Sequence, residues 1–228
     1  MSLKKHIPNA ITSLNLICGV IGIICVFDVR FGGNMTPAFI CMLAAMVFDF
    51  CDGLAARLLN AYSPAGKELD SLADVVSFGV LPALMMFKAS NCWIPLLLAV
   101  FSALRLAKFN IDERQHESFL GLPTPSAALI GGSLCTLGFI PAWVIALAAV
   151  LLCFLLVCEL PMFSLKFGKD IKTDTVTKML RIAIVSISVI IIALVLAFGL
   201  PWQAIILGIL LAYILENALY YILGPKNS

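Results

Sequence analysis

Long apolar runs separated by short polar links dominate the chain. A helix needs ~20 residues to cross the hydrocarbon core of a bilayer. Stretches suited to this lie at about 10–28, 36–58, 70–88, 92–109, 125–140, 142–161, 178–198 and 201–222. A Gly followed shortly by a Pro separates the fifth stretch from the sixth and the seventh from the eighth, which is typical of one helix ending and the next beginning. The pattern predicts an all-α polytopic membrane protein with about eight transmembrane helices.

Composition supports the bilayer as the solvent. Apolar residues make up 62% of the 228 residues and charged residues 12%, against ~45–50% and ~25% in soluble proteins. This excludes a soluble enzyme, a secreted disulfide scaffold and a disordered chain. A net charge of +2 is too small to indicate a nucleic-acid partner. The 8 cysteines form no C-x-x-C pair, and the 2 histidines are too few for a histidine metal site.

The basic residues predict the orientation in the membrane. With the N-terminus in the cytoplasm, only Arg30 and Lys88 of the 15 Lys and Arg residues fall on the opposite side. This asymmetry predicts an even number of spans with both termini cytoplasmic. The run at 11–27 has no small-x-small cleavage pattern after it, so we expect a retained membrane helix. The short loops suggest a prokaryotic plasma membrane.

Four aspartates lie near the predicted cytoplasmic ends of the second and third spans. Asp49 and Asp52 are three residues apart, and Asp70 and Asp74 are four apart, so each pair shares one helix face. The link between the two spans is short, and we therefore expect antiparallel neighbouring helices whose carboxylates converge. Carboxylates within membrane helices are costly and usually functional. The alternative reading is that they cap helices or carry surface charge at the membrane boundary.

Converging carboxylates need more positive charge than Arg57 supplies. Mg²⁺ and Mn²⁺ prefer oxygen ligands and accept phosphate oxygens. We therefore expect two such ions, which would neutralise the aspartates and create a site for a diphosphate. Gly53 would let a ligand approach the backbone closely, and the Arg57 guanidinium suits a phosphate. Taken singly, Gly53 and Ala56 are more typical of helix packing.

The spacing of these residues resembles the signature of the CDP-alcohol phosphatidyltransferase family at every defined position. The matching string is Asp49-x-x-Asp52-Gly53-x-x-Ala56-Arg57, eight residues, then Gly66-x-x-x-Asp70-x-x-x-Asp74. The segment at 7–12 is similar to the N-terminal segment of the family, and 104–110 and 119–125 resemble its phosphatidylserine synthase branch. By motif the resemblance covers about 7–125, and the helices at about 142–222 match only by hydropathy. It implies a single domain over 1–228, with a six-helix core and two C-terminal helices.

The resemblance implies a reaction and a set of roles. L-serine would attack CDP-diacylglycerol, giving phosphatidylserine and CMP, and the enzyme would be a homodimer surrounded by membrane lipids. The implied metal ligands are Asp49, Asp52, Asp70 and Asp74, and Asp74 is also the implied general base. The implied CDP-lipid-binding residues are Asn9, Thr12, Asp52, Gly53, Ala56, Arg57 and Gly66.

The acceptor site has weaker support in the residues. The carboxylate of L-serine calls for a cation, for which Arg105 is a candidate, with Lys108 on the same helix face and Asn110 as a donor and acceptor. The alternative is that these long side chains reach out to lipid headgroups. Glycerol 3-phosphate and inositol phosphate remain possible acceptors, and only the branch-like stretch 104–125 favours serine. An ion-coupled transporter is disfavoured, because its carboxylates should lie near mid-membrane.

Overall fold

The computed structural model describes residues 6–111, 119–159, 161–162 and 175–223, and these residues are almost entirely helical. The helices are α1 (His6–Phe27), α2 (Thr36–Leu58), α3 (Pro64–Ser90), α4 (Leu97–Ile111), α5 (Thr124–Thr136), α6 (Ala142–Val157), α7 (Thr175–Ala197) and α8 (Gln203–Leu223). Short 3₁₀ turns at Val29–Phe31 and Ile94–Leu96 precede α2 and α4. A helix therefore lies in each predicted apolar stretch.

Length and composition make this a helical membrane protein. In the described part of the chain, the helices His6–Phe27, Thr36–Leu58, Pro64–Ser90 and Ile94–Ile111 are long and apolar enough to cross a bilayer. Shorter apolar helices lie at Ala142–Val157, Ala183–Ala197 and Gln203–Ala218. The number of spans and the cytoplasmic termini stay predictions, since several of the basic residues behind them lie outside the described ranges.

Helix α1 shows how the chain distributes polarity. Its inner face carries small or polar residues, with Thr12, Asn15 and Gly19 all buried. Its outer face carries large aliphatic residues such as Ile17 and Ile24, which are exposed. Polar groups inside and apolar groups outside suit a helix that faces lipid on one side and a polar site on the other.

The second half of α3 forms the centre of the core. It packs on α1, α4, α5 and α6, and Phe78, Leu81, Met85 and Met86 are fully buried there. Helix α8 packs on α7 and α5. These contacts hold the first half of α3, which bears two of the aspartates, against α1.

Helix α3 begins earlier than predicted. The hydropathy placed its start near residue 70, but Ser63 caps a helix that begins at Pro64, with the Ser63 Oγ accepting a hydrogen bond of 3.0 Å from the Gly66 N–H. Ser before Pro is a typical helix start. The main neighbour of this first half is α1 rather than α2. The contacts between the second and third helices that the sequence predicted lie mainly along later turns of α3.

A two-stranded ladder adds to the predicted all-α fold. Strand β1 (Phe119–Leu120) pairs antiparallel with β2 (Pro161–Met162), and Phe119 lies opposite Met162. Gly121 follows with φ +73°, and a Cβ there would lie 2.7 Å from the carbonyl oxygen of Cys158. The next N–H, of Leu122, donates to the Leu155 carbonyl at 2.8 Å. The ladder thus ties the segment before α5 to the end of α6.

Candidate metal and nucleotide site

Three carboxylates from two helices meet near the cytoplasmic ends predicted for them. One carboxylate oxygen from each of Asp49, Asp70 and Asp74 lies within 4.8 Å of the other two. Asp49 comes from α2, and the other two lie one turn apart on α3. Asp74 is buried, and Asp49 and Asp70 are half-buried. The first half of α3 thus brings its aspartates to α2 although α1 is its main neighbour.

Asp52 does not belong to this group of three, although it is close enough to interact electrostatically with each of them. Its Oδ2 accepts a hydrogen bond of 2.6 Å from the Thr12 Oγ of α1. The carboxyl is buried and lines the neighbouring cavity. The sequence predicted four converging carboxylates, and the structure brings three of them together and places the fourth against Thr12.

Helix α1 supplies hydrogen-bond donors to both carboxylate-bearing helices. Thr12 donates to Asp52, and the Nδ2 of Asn15 donates to the Asp74 Oδ1 at 3.1 Å. The two donors are three residues apart and so share one face of α1. The sequence analysis overlooked Asn15, although an amide inside an apolar helix, three residues after Thr12, was a usable signal.

A cavity of about 700 Å³ adjoins the carboxylates. This size falls in the range of ~300–1,000 Å³ common for small-molecule sites. All of the predicted CDP-lipid-binding residues line it, namely Asn9, Thr12, Asp52, Gly53, Ala56, Arg57 and Gly66. Asp70 lines it as well and therefore belongs to both the cavity and the carboxylate group.

Several lining residues escaped the sequence analysis. Tyr62, Ser63 and Lys67 lie at the start of α3, which was predicted to begin later, and Phe109 comes from α4. Arg57 and Lys67 are both exposed cations on the cavity wall. The cavity therefore presents positive charge as well as the Asp52 and Asp70 carboxylates.

The two glycines of the signature have different surroundings. A Cβ at Gly53 would meet no atom within 4 Å, so its side-chain position is open space on the cavity wall. A Cβ at Gly66 would lie 2.8 Å from the Asn9 Oδ1 and 2.9 Å from the Ser63 Oγ. Gly53 thus leaves room for a ligand, whereas Gly66 lets α1 approach the start of α3.

Of the predicted serine-binding residues, Arg105 lies deepest. It is buried, its Nη1 donates to the Thr124 Oγ at 3.1 Å, and its guanidinium lies 5.8 Å from the centre of the Phe109 ring. It is also close enough to Asp74 for electrostatic attraction. Its Nε is buried and has no hydrogen-bond partner among the residues that the structure describes.

Lys108 and Asn110 have other partners. The Lys108 Nζ forms an ion pair of 2.7 Å with Glu159, and both side chains are largely exposed. The Asn110 Nδ2 donates to the Ser71 Oγ at 2.8 Å, and its backbone oxygen accepts from the Lys67 Nζ at 3.1 Å. The structure therefore places Arg105 within electrostatic reach of Asp74 and pairs Lys108 with Glu159 on the exposed side of the helix.

The donor set suits a hard divalent cation. Three carboxylates offer oxygen ligands of the kind that Mg²⁺ and Mn²⁺ prefer. The buried Asp70 Oδ1 has no hydrogen-bond partner in the described part of the chain. Neither of the ion pairs in the described residues involves these aspartates. An acidic cluster that no described residue joins in an ion pair is compatible with a metal site.

Comparison with known proteins places the chain in a family. The sequence model of the family described as CDP-alcohol phosphatidyltransferase matches residues 5–155. The chain belongs to the CDP-alcohol phosphatidyltransferase family. The match includes the whole signature from Asp49 to Asp74 and both α1 donors, and it confirms the resemblance seen in the sequence. The protein is thus a membrane transferase of this family.

Curated relatives come from the serine branch of the family. A Bacillus subtilis (strain 168) protein named CDP-diacylglycerol–serine O-phosphatidyltransferase is 37% identical over 132 residues, which is 55% of this chain and 72% of that protein. A Helicobacter pylori (strain J99) protein of the same name is 36% identical over 54% of each chain. An archaetidylserine synthase of Methanothermobacter thermautotrophicus is 35% identical over 58% of this chain and 59% of its own length. The similarity thus spans between about half and three quarters of these relatives.

Proposed function

We propose that the protein transfers the phosphatidyl group of CDP-diacylglycerol to the hydroxyl of L-serine, giving phosphatidylserine and CMP. The observation that carries this proposal is the meeting of Asp49, Asp70 and Asp74 at the edge of a cavity lined by the whole predicted CDP-lipid set. The names of the relatives support serine as the acceptor.

The residues that line the cavity support one orientation of the donor. The diphosphate lies where Asp70 belongs to both the cavity and the carboxylate group. The cations Arg57 and Lys67 on the cavity wall attract its phosphate oxygens. Gly53 leaves open space for the nucleotide, and Asn9 and Thr12 line the same wall.

Divalent cations complete the charge balance. Asp49, Asp70 and Asp74 would hold Mg²⁺ or Mn²⁺, with Asp52 as a further ligand, and we propose two ions as the resemblance implies. When bound, these ions supply neutralisation of the diphosphate charge and of the charge on the departing CMP. Phosphoryl transfer depends mainly on such positioning and charge stabilisation.

The acceptor enters from the α4 side. Arg105 binds the serine carboxylate, and Asp74 accepts the proton of the serine hydroxyl. The serine oxygen forms a bond to the phosphorus that carries diacylglycerol, and the bond from that phosphorus to the oxygen of CMP breaks. CMP leaves with the electron pair of that bond, and the proton stays on Asp74 until it passes to solvent.

The membrane setting of the site is part of the proposal. The asymmetry of basic residues supports a cytoplasmic position for the carboxylates. The short loops support a prokaryotic plasma membrane. The family resemblance implies a homodimer, which crosslinking in native membranes would test. One of the relatives is named archaetidylserine synthase. The assay should therefore also vary the lipid chains of the donor.

The experiment that tests the function measures CMP release by the full chain in detergent. CDP-diacylglycerol or CDP-archaeol is supplied with Mg²⁺ or Mn²⁺ and with L-serine, glycerol 3-phosphate or inositol phosphate. We expect metal-dependent CMP release with L-serine and its loss in Asp74→Asn. Release with another acceptor alone would overturn serine and retain the family chemistry. No metal-dependent release with any acceptor would overturn the proposed transferase reaction.

A further inference from the structure

A polar contact between α1 and α3 lies behind the carboxylates, outside the cavity. Asn15 is fully buried and does not line the cavity. Its Nδ2 donates to the Asp74 Oδ1 at 3.1 Å, and its backbone oxygen accepts from the Ser77 Oγ at 3.1 Å. One residue of α1 thus holds both ends of a single turn of α3.

The surroundings of this contact leave little room for movement. A Cβ at Gly19, one turn further along α1, would lie 3.0 Å from the Cα of Ser77 and closer still to its Oγ. Immediately after Asp74, α3 changes to a π-helical segment, Val75–Val80. Such segments are frequent at functional sites. Any shift of Asp74 toward or away from α1 would therefore disturb a tight interhelical fit.

We propose that Asn15 is a positioning residue for Asp74. Its amide holds Oδ1 and leaves the second carboxylate oxygen for the divalent cation and the serine hydroxyl. The inference rests on the proposed function, in which Asp74 binds metal and accepts a proton. An amide suits this task because it donates a hydrogen bond without adding a charge. A lysine in its place would pair with Asp74 and compete with the cation.

The primary test compares Asn15→Ala with Ser77→Ala. Both variants remove one bond of the same interhelical contact, but only the first bond involves Asp74. We expect Asn15→Ala to lower kcat about 10- to 100-fold, as loss of a group supporting a metal ligand commonly does. The KM for CDP-diacylglycerol should change less than about threefold, since Asn15 does not line the cavity. Ser77→Ala should keep kcat within about twofold of the wild type.

A second readout does not depend on turnover. Binding of Mn²⁺ to the purified protein, followed by the electron paramagnetic resonance of free Mn²⁺, should weaken in Asn15→Ala and stay unchanged in Ser77→Ala. Thermal unfolding in detergent reports whether each variant is folded. Asn15→Leu keeps roughly the size of the side chain and removes the N–H donor without adding a charge beside Asp74, so it decides the question if the alanine variant fails to fold.

The outcomes separate this inference from the proposed function. A wild type without serine-dependent CMP release overturns the proposed function, and the Mn²⁺ comparison then decides the role of Asn15 alone. If the wild type is active and a folded Asn15 variant keeps the same kcat and Mn²⁺ affinity, the positioning role is overturned. An equal loss of kcat in Ser77→Ala also overturns it, because the contact would then act only through packing.

Discussion

Buried carboxylates have different hydrogen-bond partners in the first three helices and in the last two. In α1–α3, Asp52 and Asp74 each accept a hydrogen bond from a donor on α1. In α8, Glu216 is just as buried, but neither of its carboxylate oxygens has a hydrogen-bond partner among the described residues. The family match covers the first region and ends at residue 155. The family match and the cavity therefore distinguish the carboxylates of the first region, and Glu216 serves as a buried carboxylate for comparison.

The largest expected effect comes from a matched exchange of carboxylate for amide in the two regions. Asp74→Asn removes a proposed metal ligand that is also the proposed base, and we expect kcat to fall by about 10²- to 10⁴-fold. Glu216→Gln makes the same chemical change at a similarly buried position and should leave kcat unchanged. CMP release by both purified variants is the measurement.

Asp28 provides a further control for this exchange. It lies in the link between α1 and α2, where hydrogen bonds from Arg30 lower the pKa of its carboxyl to about 2. Asp28→Asn is expected to leave activity unchanged. If Glu216→Gln or Asp28→Asn abolished activity as Asp74→Asn does, the distinction between the two regions would fail.

The next effect concerns the donor on α1 that faces the cavity. Thr12→Val keeps the shape of the side chain but removes the hydrogen bond of 2.6 Å to Asp52. Bonds to charged groups contribute about 1.5–3 kcal/mol, so we expect kcat/KM to fall roughly 10- to 100-fold. Ser13→Ala removes a hydroxyl bonded only within α1, to the Asn9 carbonyl. It should behave as wild type, and a similar loss in both variants would argue against a specific role of Thr12.

Gly53→Ala should separate ligand binding from stability. A Cβ at Gly53 meets no protein atom within 4 Å, and Ala favours a helix over Gly by about 0.8–1 kcal/mol. We expect an unchanged or higher unfolding temperature together with a KM for CDP-diacylglycerol raised several-fold. Gly66→Ala should instead lower the unfolding temperature, because its Cβ would lie against Asn9 and Ser63. An unchanged KM in Gly53→Ala would mean that the lipid does not approach this wall.

The smallest effect on chemistry is expected in the last two helices. A Cβ at Gly208 of α8 would lie 2.9 Å from the Ile191 Cγ2 of α7. Gly208→Val is therefore expected to destabilise the fold by about 1–3 kcal/mol through overpacking. The kcat of the folded fraction should stay as in the wild type. A selective loss of kcat without loss of stability would connect α7 and α8 to the site.

The helices and the cavity wall could largely be predicted from the sequence. Apolar runs reveal membrane helices because a helix that crosses a bilayer needs about 20 apolar residues. The family signature already contained part of the cavity wall, from Asp52 to Asp70. The start of α3 was missed because its first turn carries Lys67 and Glu68 and therefore does not look like a membrane span. The Ser63-Pro64 pair was the local signal for it.

Contacts between distant parts of the chain could not be predicted in this way. Lys108 was assigned to the acceptor site, but Glu159 lies 51 positions further along and pairs with it. Helical spacing grouped Asp52 with Asp49. In the structure, Asp52 accepts a hydrogen bond from the hydroxyl of Thr12, which lies on another helix. Spacing describes which residues share a face of one helix, and it cannot show what the neighbouring helix offers to that face.

The two donors on α1 also constrain how the protein assembles in the membrane. Helix α1 precedes α2 and α3 in the chain and is made before them. Before α2 and α3 are in place, the Thr12 hydroxyl can donate to the Pro8 carbonyl of its own helix, whereas the Asn15 amide lacks Asp74. Unpaired polar groups are costly in lipid, so joining α1 to α3 removes that cost for the Asn15 amide and brings Asp74 to its donor in the same step. The hydrogen bond between Asn15 and Asp74 thereby also helps to select the correct arrangement of these helices during insertion.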